Sequence, residues 1–555
     1  MPLKFVFGPS GSGKSTYLYQ HVIEESEKYP LKNFIVLVPE QFTMQTQKDL
    51  VSMHPRHGIM NIDVLSFARL AYRVFEETGT KQMQVLDDEG KNLILRKIAG
   101  DYEDKLTVLR GNIKKLGYIS EVKSVISEFT QYDIGEEEMD EMLDHLDEDS
   151  RLYYKLKDIR LLYEGFQDYL RERYITKEEL LDVLSSQVKE SELLKKSVVV
   201  LDGFTGFTPV QNRLILELMR CCREVWVTVT MDERENPYSY KHPYQLFGLS
   251  KQMVTTLVRM AGEDRIEVEE PVCLYGYPVR RFEKNRELAF LERNIFRYGA
   301  GRYDKAVENL EIHAAGNPRQ EADAVAEGIR RLVRKEQYRY RDIGVIVSDM
   351  NVYGDYLEQA FENYGIPVFM DHKRSILLNS FVEYIRSLLN MAEKNFSYES
   401  VFRFLRTNLA GFACEEVDEL ENYVIGLGIR GYKGWQNRWI RRLKGMEEEE
   451  LDRLNHYRVQ LVEKVDNLMF VLKQKRKTVR DITMAVYEFM VKENIQERLQ
   501  RTEEEFQKAG ELALAKEYSQ VYRIIIELFD KFVELLGEEP VGLNEYCKLL
   551  DAGLE

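Results

Sequence analysis

The sequence predicts a mixed α/β protein, in which doubly wound parallel sheets are interrupted by large helical insertions. A glycine-rich loop joins a short apolar run to a helical pattern near the start of the chain. Apolar, β-prone runs then alternate with helical patterns, and a second alternation of this kind begins near residue 306. The chain has 555 residues, which is too long for one hydrophobic core and predicts several domains.

The first α/β unit is expected to contain five strands. They are predicted at "LKFVF" (3–7), "NFIVLV" (33–38), "MNIDVL" (60–65), "SVVVL" (197–201) and "REVWVTVTMD" (223–232). The run 197–201 is apolar throughout its centre, as expected for a strand that is covered on both faces.

Helical patterns dominate residues 83–195 and everything after about 396. Between them, strands are predicted at "LEIHAAGN", "DIGVIVSD" (342–349) and "IPVFM" (366–370), with helices in the intervals. The helical pattern continues almost to the last residue, from which we expect the sequence to be part of a longer protein.

Composition excludes several classes of protein. The net charge of −16 excludes a uniformly basic nucleic-acid coat, although it does not exclude a local basic groove. No C-x-x-C pair or His/Cys cluster has metal spacing, so the five cysteines suggest a reducing, cytoplasmic location. No run approaches the roughly 20 apolar residues of a membrane span, so no membrane association is expected.

The stretch "FVFGPSGSGKST" (5–16) fits the phosphate-loop pattern G-x-x-x-x-G-K-[ST]. Glycines let backbone N–H groups surround phosphate oxygens, and the following helix adds its positive end. A plain glycine turn is the alternative, but the strand before and the helix after the loop favour a nucleotide site. The predicted ATP-binding residues are Gly8, Pro9, Ser10, Gly11, Ser12, Gly13, Lys14, Ser15 and Thr16.

Asp202 directly follows the fourth predicted strand and is expected to complete a Mg²⁺ site with the hydroxyl of Ser15. The alternative is an ordinary aspartate in the turn after a strand. Many ATPases place a glutamate after this aspartate to orient the attacking water, but here the residue is Gly203. Nucleotide binding is therefore better supported than hydrolysis.

Taken together, these pieces resemble the UvrD-like helicase architecture, in which two RecA-like P-loop domains carry helical insertions. More narrowly, the chain resembles the N-terminal half of the AddB family, the B subunit of the bacterial ATP-dependent helicase–nuclease. The stretches that carry the resemblance are "GPSGSGKST", "VLVPEQFT", "VLSFARLAYRVF" and "VVVLDGFTGFTPVQ". The implied units are a first RecA-like domain (1–82 plus 196–305), a helical insertion (83–195), the start of an incomplete second RecA-like domain (306–395) and a second helical insertion (396–555).

The resemblance implies a heterodimer with a larger helicase–nuclease subunit. Such a complex would process single-stranded and double-stranded DNA ends in double-strand-break repair by homologous recombination, and it would respond to a recombination hotspot. The family's nuclease domain, with an iron–sulfur cluster held by four cysteines, has no counterpart in this sequence. We therefore expect it beyond residue 555.

The resemblance also implies that loops after the strands of the first domain face single-stranded DNA. Their side chains could pair with base edges or stack on bases. The alternative is that Phe67 is a core residue and that Arg69 contacts phosphate or an acidic neighbour. The candidate residues in these loops are Gln41, Thr43, Ser66, Phe67, Arg69, Tyr72 and Phe207.

Several features of a UvrD-like motor have no match. There is no room before the phosphate loop for a glutamine segment that reads adenine, and "VTMDERENPYSY" does not match the expected sensor. The arginines that would complete the site cannot be identified from a motif. The sequence therefore predicts a protein that holds a nucleotide rather than a motor.

The stretch "IRGYKGWQNRWIRRLKG" (429–445) has six basic and no acidic residues. Trp435 and Arg438 are its candidate contacts to single-stranded DNA, by stacking and phosphate neutralisation. An amphipathic helix with tryptophans in the core explains the pattern equally well. The run "KQKRK" (473–477) is more consistent with a solvated helix end.

Two other functions fit parts of the sequence. A small-molecule or nucleoside kinase would explain the phosphate loop, although it would not need a second α/β unit or large helical insertions. A structural scaffold with a vestigial phosphate loop is the other alternative. Nucleotide binding by the isolated chain would exclude the scaffold, whereas the helicase–nuclease subunit and the kinase both require it.

Overall fold

The computed structural model describes residues 2–79, 84–113, 117–171, 174–299, 301–370 and 376–554. Within them, a six-stranded parallel sheet has the order β3-β2-β6-β7-β1-β8. A separate parallel pair joins β4 to β5. The strands are β1 (Leu3–Gly8), β2 (Asn33–Leu37), β3 (Ile62–Leu65), β4 (Gln84–Leu86), β5 (Tyr174–Thr176), β6 (Ser197–Leu201), β7 (Glu224–Thr230) and β8 (Val272–Cys273).

Helices make up most of the rest. The first group is α1 (Lys14–Lys28), α2 (Thr43–Met53), α3 (Phe67–Thr78), α4 (Asp88–Asp101), α5 (Tyr118–Gln131), α6 (Glu136–Asp144), α7 (Arg151–Leu170), α8 (Leu180–Gln187), α9 (Glu192–Lys195), α10 (Pro209–Cys221), α11 (Gly248–Glu263) and α12 (Arg286–Asn294). The second group is α13 (Pro318–Glu336), α14 (Met350–Asn363), α15 (Ser380–Glu393), α16 (Tyr398–Leu405), α17 (Cys414–Leu427), α18 (Tyr432–Gln436), α19 (Glu448–Leu472), α20 (Val479–Lys492), α21 (Ile495–Ala509), α22 (Leu512–Leu536) and α23 (Leu543–Leu554).

The large sheet is doubly wound because successive residues of its strands enter two different cores. In β6, Val199 and Leu201 face a core shared with α3, α10 and α11. Val198 and Val200 face the opposite core, which includes α1 and α2. All five residues of β6 are buried, which explains the apolar run that the sequence shows there. The five strands predicted for the first unit are confirmed, and β8 is an addition at the edge.

Between α3 and β6, helices α4–α7 pack around their own core, whereas α8 and α9 contribute Leu180, Leu184 and Leu194 to the core of the large sheet. The short β4–β5 pair was not expected from the sequence, because three-residue strands carry too little periodicity to be recognised. It ties the beginning of this helical region to its end.

The second α/β unit differs from the prediction. Helices α13 and α14 are present and share a small core, but none of the described residues 301–370 belongs to a strand. The segments predicted as strands at 310–317, 342–349 and 366–370 form no ladder hydrogen bonds, and Ile346 and Phe369 are 98% and 88% exposed. β-structure requires a neighbouring strand, and these segments have none among the described residues, so the apolar pattern alone was not sufficient.

The C-terminal helices α15–α23 form one bundle, and helix α4 packs into it. Leu93 of α4 lies in the bundle core. The Arg96 guanidinium is 3.1 Å from Glu545 of α23, and Lys531 of α22 pairs with Asp87 before α4. The two helical regions of the chain therefore share one interface.

Hydrogen exchange tests the difference between the two α/β units. We expect the amides of 344–347 to exchange near their intrinsic rates, because they form no backbone hydrogen bonds with other described residues. The amides of β6, which is bonded on both sides to β2 and β7, should be among the slowest. Protection of 344–347 comparable to that of β6 would show that these segments pair as strands in solution.

Candidate functional site

The phosphate loop lies between β1 and α1 at the carboxyl edge of the large sheet. A cavity of about 570 Å³ opens above it. Six of the nine predicted ATP-binding residues line this cavity: Ser10, Gly11, Gly13, Lys14, Ser15 and Thr16. The other three, Gly8, Pro9 and Ser12, form the turn behind it, where the Ser12 amide donates to the Pro9 carbonyl at 3.2 Å.

The Lys14 ammonium group folds back onto the loop. It donates to the carbonyl oxygens of Gly8 at 2.9 Å and Pro9 at 3.0 Å. Burial lowers the pKa of Lys14 to about 8, although the nearby Asp202 carboxylate opposes this shift. Among the described residues, the Lys14 ammonium group is hydrogen-bonded to carbonyl oxygens and to no carboxylate, so a phosphate group could pair with it directly.

Asp202 follows β6 and is almost completely buried. Its carboxylate accepts hydrogen bonds from the Tyr19 hydroxyl at 2.7 Å and the Thr228 hydroxyl at 2.6 Å. Burial and the Asp202 charge raise the pKa of Tyr19 far above its ordinary value, so Tyr19 remains a donor. Asp202 and Ser15 line the same cavity, and oxygen donors of this kind suit Mg²⁺ beside a phosphate chain.

Gly203 after β6 and Asp232 after β7 differ from the side chains expected at these positions of a UvrD-like motor. Gly203 has no side chain that could orient a water, and its φ of 80° lies in the left-handed region. A glutamate at this position would therefore be strained. After β7, Asp232 is held by the Arg234 guanidinium at 2.5 Å and 2.9 Å. Burial would raise the pKa of Asp232, but these hydrogen bonds outweigh it and lower the pKa to about 2. The Asp232 carboxylate is therefore held in an ion pair with Arg234, and it does not replace the side chain that contacts the nucleotide in a motor.

Arg280 and Arg281 also line the nucleotide cavity, and no motif in the sequence identified them. The Arg281 amide donates to the Gly11 carbonyl at 3.0 Å. A Cβ atom at Gly11, where φ is 81°, would lie 2.8 Å from Cβ of Arg281. The arginine segment is thus built against the loop itself. Sequence patterns miss it because the contact joins residues about 270 positions apart.

The loops after β2, β3 and β6 meet at the same edge of the sheet. The Val38 amide donates to the Leu65 carbonyl, and the Asp202 amide donates to the Leu37 carbonyl. Of the seven candidate DNA-contacting residues in these loops, three have exposed side chains: Gln41, Arg69 and Tyr72. The Arg69 guanidinium forms no ion pair within the described residues.

The other four candidates have structural roles, which corrects the sequence prediction. The Thr43 hydroxyl donates to the Glu40 carbonyl at the start of α2. Ser66 caps α3 by accepting from the Arg69 amide. Phe67 is 8% exposed, and its ring lies 5.4 Å from Phe204 and 6.4 Å from Phe207, measured between ring centroids. Phe67 is therefore a core residue, and Phe207 is half-buried beside it.

The basic-aromatic stretch also needs correction. Trp435 is 1% exposed, and its ring packs at 5.3 Å from that of Trp439. It is a core residue, because the segment folds its apolar side onto α19, where the Arg458 guanidinium donates to the Trp435 carbonyl. It therefore cannot stack on a base. Arg438 remains exposed, with Asp452 at 3.3 Å.

Metal-binding clusters and membrane-spanning helices are both absent from the described ranges. No group of three or more His, Cys, Asp or Glu side chains there is arranged to hold a metal. The five cysteines are free thiols, and Cys221 and Cys222 are neighbours in the sequence. No helix in this part of the chain is long and apolar enough to cross a membrane.

The phosphate loop between β1 and α1 and the parallel sheet define a P-loop protein, and comparisons with known proteins give its family. The family model "ADDB, N-terminal" matches residues 5–292, and the model "UvrD-like helicase C-terminal domain" matches residues 289–545. The chain belongs to the AddB family.

Curated relatives support the same conclusion over the whole chain. The chain is similar to proteins named as the B subunit of an ATP-dependent helicase/deoxyribonuclease from Lachnoclostridium phytofermentans, at 42% identity, and from Caldanaerobacter subterraneus subsp. tengcongensis, at 34%. A protein of the same name from Clostridium acetobutylicum is 32% identical. All of this chain is covered in each case, but only 48–49% of each relative. The chain thus spans about half the length of these relatives.

The buried Lys14 predicts a specific pH dependence of stability. The unfolded chain keeps the Lys14 proton up to its ordinary pKa of 10.5, whereas the folded protein releases it near 8. Between these values the unfolded state binds more protons, so raising the pH favours the folded state. From pH 8 to 9.5, the free energy of unfolding of the wild type should rise relative to Lys14→Met by about 2 kcal/mol.

Urea denaturation of both proteins without nucleotide measures this difference. Other titrating groups are common to the two chains and cancel in the comparison. Parallel pH profiles would show that Lys14 is not desolvated in the empty site.

Proposed function

We propose that this chain is the N-terminal, helicase-like part of the B subunit of an ATP-dependent DNA helicase–deoxyribonuclease. The observation that carries the proposal is the phosphate cavity, in which Lys14 and Ser15 face Asp202, in a chain of the AddB family. The names of the relatives support ATP dependence, action on DNA and a partner subunit. The role in double-strand-break repair by recombination, with a larger helicase–nuclease partner in a heterodimer, belongs to this proposal.

The architecture is part of the same proposal. The strand order β2-β6-β7-β1 separates the phosphate-loop strand from the Asp202 strand by one strand, which supports a RecA-like first domain. The match to the UvrD-like C-terminal domain supports a second one that begins near residue 306. The domain boundaries derived from the sequence are retained as predictions.

The site supports binding of ATP with Mg²⁺ without efficient turnover. Lys14, Arg280 and Arg281 place three cations around one cavity, and they would neutralise a triphosphate from within this domain. Mg²⁺ would be held by Ser15 and Asp202, and it would neutralise further phosphate charge. Hydrolysis also requires an oriented water, and Gly203 provides no side chain for that purpose.

Nucleotide binding by the purified chain tests the proposal. We expect binding of Mg²⁺-ATP with little or no hydrolysis, with or without single-stranded DNA. Lys14→Met should abolish detectable binding. Arg280→Ala and Arg281→Ala should each weaken it by about 1.5–3 kcal/mol, the value of a hydrogen bond to a charged group. Calorimetry measures binding, and phosphate release measures turnover.

Arg286→Ala is the matched control, since Arg286 is exposed on the same segment but does not line the cavity. Brisk DNA-stimulated ATPase activity of the chain alone would refute the inactive-motor proposal. Absence of nucleotide binding would instead favour the scaffold alternative. The kinase alternative has no support from the comparisons, which match the whole chain to helicase-type proteins.

The exposed residues at the sheet edge support contact with single-stranded DNA. Gln41 can both donate to and accept from a base edge, and Arg69 can form two hydrogen bonds to guanine. Phe204 connects the strand-end edge of the sheet to the phosphate-loop cavity. It lines the cavity, and its ring contacts that of Phe67 at the start of α3. Recognition of a hotspot sequence by this edge is proposed as the specialised role of the chain.

Substitution of Gln41 and Arg69 by alanine in the complete two-subunit complex tests sequence recognition. Hotspot response should fall, at about 1–3 kcal/mol for each lost bidentate contact, while the unwinding rate stays near that of the wild type. Gln47→Ala and Arg73→Ala are matched controls, because both are exposed further along α2 and α3. Equal loss of unwinding and hotspot response would assign Gln41 and Arg69 to general strand binding, and no change would exclude both roles.

A further inference from the structure

Three distant segments of the C-terminal bundle bring cationic side chains together around Tyr432. They are the end of α15, the turn before α18 with its first residues, and the end of α19. We call this surface the Tyr432 patch. Its cations are Lys394, Arg430, Lys433, Lys473, Lys475 and Arg476.

Specific contacts hold the three segments together. The Tyr432 amide donates to Oδ1 of Asn395 at 3.4 Å, which joins α18 to the end of α15. The Tyr432 hydroxyl donates to Asp466 of α19 at 2.5 Å. The Lys473 ammonium lies 3.9 Å from the centroid of the Tyr432 ring. The two basic runs that the sequence presents separately, 429–445 and 473–477, are therefore neighbours at this point.

The charge of the patch is only partly neutralised within the described residues, because Asp466 acts on Lys473. All six cationic side chains are exposed, and none of them forms an ion pair there. Other cations of the bundle do find acids: Lys464 lies 2.8 Å from Glu493, and Arg386 lies 2.9 Å from Asp551. In a chain with a net charge of −16, six exposed cations without ion pairs, beside the carboxylate of Asp466, create a local positive field.

The aromatic rings within the patch are not available for stacking. Phe396, Tyr432 and Trp435 are at most 8% exposed, so they support the surface from beneath. Single strands are generally held by base stacking together with phosphate contacts, whereas this surface offers charge alone. Charge alone matches a rigid, dense array of phosphates, and a duplex presents about one phosphate charge per 1.7 Å of its axis.

We propose that the Tyr432 patch binds the phosphate backbone of duplex DNA without reading its sequence. The inference rests on the proposed role in DNA end processing. It adds a second contact, on the helical bundle, that is separate from the strand-end surface of the sheet. An acidic protein surface is the competing occupant, and the experiment distinguishes the two.

The experiment measures binding of the 555-residue chain to a blunt duplex of about 30 base pairs and arbitrary sequence, without ATP, over a series of salt concentrations. The variant combines Arg430→Ala, Lys433→Ala and Arg476→Ala, three exposed substitutions that each change stability little. The slope of log K against log salt should become shallower by about 2–3, because each lost phosphate contact removes roughly 0.9. Affinity near about 100 mM salt should fall about tenfold or more.

The matched control combines Arg441→Ala, Arg442→Ala and Lys444→Ala. It also removes three positive charges, all from the stretch 429–445. These three residues lie outside the Tyr432 patch, directly before the acidic first turn of α19, which contains Glu448–Glu450. Its slope should stay near that of the wild type. An equal loss of DNA affinity and salt slope in both triple variants would show that net charge alone causes the effect. That result would overturn the proposal that the Tyr432 patch binds DNA.

The remaining outcomes also decide the inference. A patch variant that loses single-strand binding but keeps the duplex slope would overturn the choice of duplex. A variant with unchanged DNA binding that no longer associates with the partner subunit would assign the patch to a protein surface. A wild-type chain that binds no DNA would refute the inference together with the proposed function. Normal wild-type binding with an unaffected patch variant would refute the inference alone.

Discussion

The hydrogen bonds that converge on the buried Asp202 carboxylate are the constraint on which the nucleotide site depends. Tyr19 reaches it from α1 and Thr228 from β7, while the Asp202 backbone is bonded to β2. A buried carboxylate is costly unless it is satisfied in this way. Helix α1, which follows the phosphate loop, and three strands of the sheet are therefore fixed relative to one charged group.

The same site combines a buried carboxylate with cations that form no ion pair within the described residues. Lys14 has only carbonyl oxygens to bond, and Arg280 and Arg281 extend toward an open cavity. In a working motor, charge that stabilises the transition state is commonly delivered by movement of another domain or protein. Here the arginines are attached to the loop through the Gly11 carbonyl. The proposal of a chain that holds a nucleotide without efficient turnover draws on this arrangement.

Sequence reasoning succeeded where function depends on neighbouring residues and failed where it depends on tertiary contacts. The phosphate loop and Asp202 could be recognised because each lies at the end of an apolar strand. Arg280 could not, because only the fold brings it to the loop. Short hydroxyl and aromatic residues were ambiguous for another reason: Ser66 and Thr43 serve helix ends as readily as ligands, and the periodicity of Trp435 fits a core as well as a surface. The strands expected after residue 306 show the corresponding limit for the fold, since strand formation depends on a partner, whereas the hydrogen bonds of helices are internal.

Helix α4 gives the chain an unusual connectivity. It belongs to the region inserted into the first sheet, yet Leu93 sits in the core of the C-terminal bundle and the Tyr169 hydroxyl of α7 donates to the Leu535 carbonyl at 2.7 Å. The part of the chain before α13 is therefore joined to the C-terminal bundle twice. One connection is covalent, between α12 and α13, and the other is the non-covalent contact of α4 and α7 with the bundle. A protease that cut the chain between α12 and α13 would leave two fragments that stay associated through the contacts of α4 and α7 with the bundle. Denaturing conditions would be needed to separate them.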